Sequence, residues 1–203
     1  MTLRPAVFKA GKKDSPEDYQ GGRSASDIAQ YARNNAAATA KPRAVVQAHT
    51  LAALEEQCTE KGASLCLVTF LPHILDGGAA ARNKAIDTLK KTAAANAKRP
   101  FGYVWLEAGA QPALEEQLLQ GNTFYPATVA LALKKQRFTP LVGQFTPESL
   151  TQFMADMLSG RAKSQKLTVA AAAEGAAPKS LPFTDGERWD GKDGQMPQES
   201  KDL

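Results

Sequence analysis

Two cysteines, two histidines and scattered carboxylates are the whole stock of side chains for covalent or acid–base chemistry. Cys58 and Cys66 lie eight positions apart, which is not the Cys-x-x-Cys spacing of a redox dithiol. Cys58 falls on the apolar face of an expected helix and Cys66 within an apolar strand. Thiols buried away from positive charge are inert. His73 has no second imidazole or nearby carboxylate in sequence, and His49 is isolated, so both read as surface or capping residues rather than metal ligands or bases. Asp76, Asp87 and Glu107 read as turn and solvent-face residues rather than a carboxylate pair. The Gly77-Gly78 turn lacks the Gly-x-x-x-x-Gly-Lys pattern of a phosphate loop. These residues give no catalytic set, no metal site and no cofactor site.

The elements around them are clearer. Ala44 to Ala48 is a short β-leaning run, and Thr50 caps a helix with Leu51, Leu54 and Cys58 on one face, stopped by Gly62. Leu65 to Leu71 is nearly continuous apolar, as in a strand covered on both faces. Pro72 ends it, Asp76-Gly77-Gly78 predicts a turn, and a helix with Ile86, Leu89 and Ala93 inward follows to about Ala97. Phe101–Leu106 predicts a strand, Pro112 a helix start with Leu114, Leu118 and Leu119 buried, and Gly121-Asn122 its end. Thr128–Leu133 and Phe138–Val142 predict an antiparallel pair across the basic turn Lys134–Arg137. Thr146-Pro147-Glu148 opens a last helix with Leu150, Phe153, Met154 and Leu158 inward. The order over residues 43–160 is β-α-β-α-β-α-β-β-α. Alternation of this kind requires crossovers, hence an α/β fold with a mixed central sheet flanked by helices.

Outside that stretch the signals thin. Residues 1–34 read as strand, turn and short helix, too small to bury a core alone. Residues 35–42 read as an alanine-rich linker, and residues 161–203 as a flexible tail. The tail holds one oddity, Glu187-Arg188-Trp189-Asp190-Gly191-Lys192-Asp193-Gly194. A tryptophan in a polar tail docks on something, and its own domain is the expected host rather than a partner.

The hydrophobic fraction of 43% excludes wholesale disorder, and no apolar stretch is long enough to span a membrane. No signal peptide is visible at the start. The net charge of +4 dissolves when divided along the chain: seven basic against four acidic residues over 1–41, eleven against ten over 42–160, seven against seven over 161–203. Nucleic-acid domains concentrate Lys and Arg on one face, so nucleic acid is not an expected partner.

The element order is that of the thioredoxin fold, and Phe124-Tyr125-Pro126-Ala127-Thr128 puts a proline just before the fourth strand, where thioredoxin-like proteins carry a cis-proline. Three stretches are more specific: Phe70-Leu71-Pro72-His73-Ile74-Leu75-Asp76 with Ala79-Ala80-Ala81-Arg82-Asn83, Trp105-Leu106-Glu107-Ala108-Gly109-Ala110-Gln111, and Trp189 to Gly194. Together they resemble the C-terminal, non-catalytic thioredoxin-like domain of the protein disulfide isomerase family, in the type where two catalytic domains precede one inactive domain. Val7-Phe8 through Tyr19-Gln20-Gly21-Gly22-Arg23 resembles the end of the preceding catalytic domain.

The resemblance implies a redox-inactive domain over 43–160. Catalytic members carry Cys-x-x-Cys at the loop after the long central strand, and here that loop is His73-Ile74-Leu75-Asp76-Gly77-Gly78. It implies binding of unfolded or disulfide-bonded client proteins, and of luminal chaperones, across the face bordered by Leu71, Ile74, Tyr125 and Pro126, with Trp105 nearby. It also implies an oxidising endoplasmic reticulum lumen, where Cys58 and Cys66 form either a structural disulfide or two free core thiols. The tail's Ser200-Lys201-Asp202-Leu203 resembles a retention signal. Two rivals stand beside client binding: a glutathione-dependent enzyme of the same superfamily, which calls for a helical second domain that the sequence lacks, and a structural spacer.

Overall fold

The nearly continuous apolar run Leu65–Leu71, broken only by Thr69, forms a central strand of the sheet, because both edges and both faces of it find partners. In the computed structural model, which describes residues 6–7, 14, 16–38, 40–60, 62–121, 124–167 and 181–194, the chain divides into two compact units, Met1–Pro42 and Arg43–Leu203. In the first unit β1 (Ala6–Val7) pairs antiparallel with β2 (Glu17–Asp18), and α1 spans Ala25–Ala38. The helix runs through the expected linker, which begins at residue 35. Alanine has the highest helix propensity, so the run Ala36-Ala37-Ala38 extends the helix rather than ending it.

In the second unit β3 (Val45–Gln47) leads to α2 (Leu51–Glu55), which Thr50 caps through its side chain. The helix then widens into a π turn at Glu56–Glu60 before β4 (Leu65–Leu71). Next come α3 (Ile74–Ala95), β5 (Phe101–Glu107), α4 (Pro112–Leu119), β6 (Ala127–Ala132), β7 (Arg137–Pro140), α5 (Pro147–Leu158) and a short β8 (Gln165–Lys166). The sheet order is β3-β5-β4-β6-β7-β8, with β3, β5 and β4 parallel and β6, β7 and β8 antiparallel. Up to α5 this is the expected mixed sheet and order; β8 is an addition on β7.

Alternation along β4 builds two cores. Cys66, Val68 and Phe70 face a layer with Leu54, Cys58, Leu114 and Leu118. Leu67 and Leu71 face Ile86, Leu89, Leu150 and Met154. Thr69 stands opposite Thr128 in register, and their hydroxyls pair at 3.0 Å. Cys58 and Cys66 are bridged, which decides between the two states left open for them. The π turn lies so close to β5 that a Cβ on Gly102 would collide with the carbonyl of Gln57; only glycine lets the two backbones approach this far.

Two boundaries depart from the sequence reading. α3 starts at Ile74 and breaks at Gly78 (φ 67°, ψ 179°), then resumes at Ala79, so the expected turn is one non-helical glycine inside a longer helix. The tail is not wholly a flexible extension: Leu167 and Leu181 are buried against the first core and Phe183 packs beside them. Their apolar side chains bury against a surface that composition alone did not reveal. Among the described residues no helix is long and apolar enough to cross a membrane.

Candidate protein-binding face

The C-terminal ends of β4 and β5 and the start of α3 meet at a charged cluster. His73, just beyond β4, accepts the Leu75 N–H at Nδ1 (3.3 Å), the capping role expected for it. Its Nε2 lies 3.1 Å from Glu107 Oε1, at the end of β5. The same Glu107 oxygen accepts the Ile74 N–H (3.2 Å), and Oε2 faces Arg82 Nη1 at 2.9 Å. Glu107 is therefore the hub of this end rather than the solvent-face residue that its turn-like sequence suggested. Asp87 does sit on the solvent face, paired with Lys90.

Arg82 is the residue that sequence reasoning missed. One turn inside the resumed helix, it is only 3% exposed. Nη2 donates to the Pro72 carbonyl (3.0 Å), while Nε and Nη1 have no aligned hydrogen-bond acceptor, so the contact with Glu107 is an ion pair only. The guanidinium carbon lies 5.5 Å from the Trp105 ring and 5.2 Å from the Trp189 ring. A weakly hydrated planar cation lying beside two mutually packed indoles gains cation–π attraction that offsets part of its desolvation. The available signal was the pair of tryptophans, since Arg on aromatic faces is a recurring pairing, but 84 positions separate Trp105 from Trp189 in the chain.

The expected contact residues divide. Leu71 is fully buried in the second core and cannot contact a client: it ends a strand covered on both faces, so its side chain turns inward. Trp105 is 4% exposed and packed edge-on against Trp189, with centroids 6.1 Å apart. Ile74 is half-buried, and Gly194 of the tail lies against it so closely that a Cβ there would collide. Tyr125 and Pro126 are half-buried, and the bond between them is cis, as the placement of the proline predicts.

Tyr125 is held from below. Its hydroxyl donates to Glu115 Oε2 (2.8 Å), and Glu115 Oε1 accepts the N–H groups of Gly109 (2.8 Å) and Gln111 (3.2 Å). Burial, then the bond to the Glu115 carboxylate, pushes the Tyr125 pKa up to about 12. Beside Pro126 a groove of about 260 Å³ opens over α3, lined by Pro72, Ala81, Ala85, Pro126 and Phe145 with His73, Arg82 and Lys84. Apolar walls with a few cationic groups suit a peptide side chain better than a polar metabolite.

The tail crosses the opposite side of the cluster as a strap. Gln111 clamps the Thr184 backbone both ways, Nε2 to its carbonyl (2.6 Å) and Oε1 from its N–H (2.8 Å). Gln47 Oε1 accepts the Trp189 N–H (2.8 Å), and Asp193 Oδ1 accepts the Ala79 N–H where α3 resumes (2.5 Å). Trp189 thus docks on its own domain, as expected. Ser200, Lys201, Asp202 and Leu203 lie outside the described residues.

Comparison with known proteins agrees with this geometry. The profile of the family described as PDIA6-like, C-terminal thioredoxin-like domain matches residues 34–162. Protein disulfide-isomerase A6 of Homo sapiens is 37% identical over 195 residues, covering 96% of this chain and 42% of that protein. The Protein disulfide-isomerase A6 homolog of Drosophila melanogaster is 36% identical over 194 residues, covering 95% and 42%. The chain thus spans about two fifths of the length of these relatives. Among solved structures, the bb fragment of ERp72 aligns at 15% identity over 73% of this chain and 61% of that one, with a TM-score of 0.44.

Proposed function

The chain belongs to the family of PDIA6-like, C-terminal thioredoxin-like domains, and from that premise we propose that it binds unfolded client polypeptides without exchanging their disulfides. The observation that carries this is the groove between Pro126 and α3. It lies at the end of the fold where catalytic thioredoxin domains hold their dithiol, yet the loop entering α3 has no cysteine, and both cysteines of the chain are joined to each other within the first core. What remains at that end is an apolar slot for an extended segment, with cis-Pro126 at one wall and a basic rim.

In this reading Ala81, Ala85 and Phe145 take a client's apolar side chain, and Lys84 stands at the rim. Tyr125, tied to Glu115, fixes the loop that carries Pro126. A longer protein containing this domain recruits clients through it for dithiol domains elsewhere. The bridged pair Cys58–Cys66 supports an oxidising compartment, and with the family it supports the endoplasmic reticulum lumen and chaperone partners there.

The test pairs two assays on the purified chain: binding of a permanently unfolded, cysteine-free polypeptide by fluorescence anisotropy, and reduction or reoxidation of a disulfide-bonded substrate. Binding without turnover supports recruitment. Turnover above background refutes the absence of exchange, and absence of binding leaves the spacer reading in its place.

A further inference from the structure

The strap is held by contacts of two kinds. Gln111 and Gln47 bind its backbone at Thr184 and Trp189, and the Gly186 N–H reaches the His49 carbonyl (2.8 Å). Main-chain bonds of this sort accept any extended segment, as when a peptide is added at a sheet margin. Three side chains are read individually: Asp185, whose Oδ1 accepts the Leu51 N–H (3.0 Å), Trp189 and Asp193. Trp189 packs on Trp105 and over Arg82, and Asp193 bonds to the Ala79 N–H, at the freed start of the resumed helix. A carboxylate there meets both an orphan donor and the positive end of the helix dipole.

The receiving surface also has contacts from within the domain itself. Trp105 is held in the second core, Gly78 sets the break that frees the Ala79 N–H, and Arg82 is fixed by Pro72 and Glu107. Arg82 keeps Nε and Nη1 without an aligned acceptor although it is almost fully buried, so its charge depends on what lies on the rings around it. We propose that this channel is a peptide-recognition site for extended segments with a tryptophan four positions before a carboxylate, and that Thr184–Gly194 is its resident ligand in cis. The channel is not the groove at Pro126, although the two share Gly78 and Arg82, and the inference stands whether or not clients use that groove.

A tethered ligand competes by its local concentration, so an outside peptide binds the intact chain weakly and an unlatched chain well. The measurement is anisotropy of a fluorescent peptide with the sequence of residues 183–194, titrated with the full chain and with the full chain carrying Trp189→Ala and Asp193→Ala. The expected result is that the doubly substituted chain binds at least ~10-fold more tightly than the unaltered one. A peptide carrying the same two alanines should lose at least ~10-fold on that unlatched chain. Equal affinities for the two chains, or for the two peptides, overturn the proposal. Should the double variant lose its cooperative unfolding transition, Asp193→Ala alone provides the comparison, with the same direction expected and equal affinity again refuting it. Failure here with unfolded-client binding intact removes the channel and leaves the groove; loss of client binding with peptide binding intact does the reverse.

Discussion

The two ends of β4 carry opposite kinds of chemistry. At its start Cys66 is bridged to Cys58 among Leu54, Val68 and Phe70. At its other end, past Leu71, an arginine, a glutamate and a histidine are gathered, with the arginine beside two tryptophans and no sulfur among them. Thiols become reactive where they are exposed and lie near positive charge or a helix N-terminus. This fold has a helix start and cations at one end and its cysteines at the other, and in the proposed function the charged end is assigned to recognition rather than exchange.

The sharpest break of that contrast is Arg82→Ala, which leaves Glu107 with His73 and the Ile74 N–H and removes the cation beside both indoles. Removing one partner of a buried pair costs roughly 3–5 kcal/mol, read as a fall in chemical-denaturation stability. The sulfur end predicts a smaller loss. Replacing Cys58 and Cys66 by alanine frees a loop spanning 8 residues, costing about 2.5 kcal/mol on the chain-entropy estimate, with client binding unchanged. A change in binding of the same size as the change in stability would join the two ends functionally.

Gln111→Ala removes both bonds to Thr184, a loss of about 1–2 kcal/mol that should appear as faster amide exchange at Thr184. Exchange unchanged there would show that the remaining contacts, from His49 to Asp193, hold the strap without Gln111. Alkaline titration reads both the core and the Pro126 end through their tyrosines. Burial raises the Tyr103 pKa to about 12, and burial with the Glu115 bond raises that of Tyr125 to about 12. A raised folded pKa means that the folded state holds the proton more tightly. The resulting stabilisation is present below about pH 10 and is lost as pH rises from there to about 12. Tyr103→Phe should flatten that decline, measured by denaturant titration across the interval. The smallest effect is Asp87→Asn, an exposed pair with Lys90, expected within ~0.5 kcal/mol of no change.

Much of the scaffold was legible in the sequence because it is periodic. The nearly continuous apolar run Leu65–Leu71 suits a doubly covered strand, and Thr50 and Thr146 cap helices with their side chains where expected. The site was less legible because its parts are distant in sequence and individually bland. Leu71 reads as a border residue until its side chain is seen turned inward. Arg82 enters the sequence reading only as one member of the Ala79–Asn83 stretch, because nothing local announces Glu107 or the two indoles. Composition favours disorder in the tail, yet backbone bonds from Gln47 and Gln111 fix it, and glutamine spacing carries no sign of such a clamp.

The most direct test of the central claim charges the groove without disturbing the core. Ala81→Asp and Thr88→Asp both line it, Ala81 being exposed and Thr88 half-buried. Binding of a cysteine-free unfolded polypeptide is measured by anisotropy for this double variant and for the unaltered chain, with thermal unfolding recorded for both. The account predicts binding weakened at least ~10-fold in a chain that still unfolds cooperatively. Undiminished binding by that folded variant would contradict it and place client recognition elsewhere on the molecule.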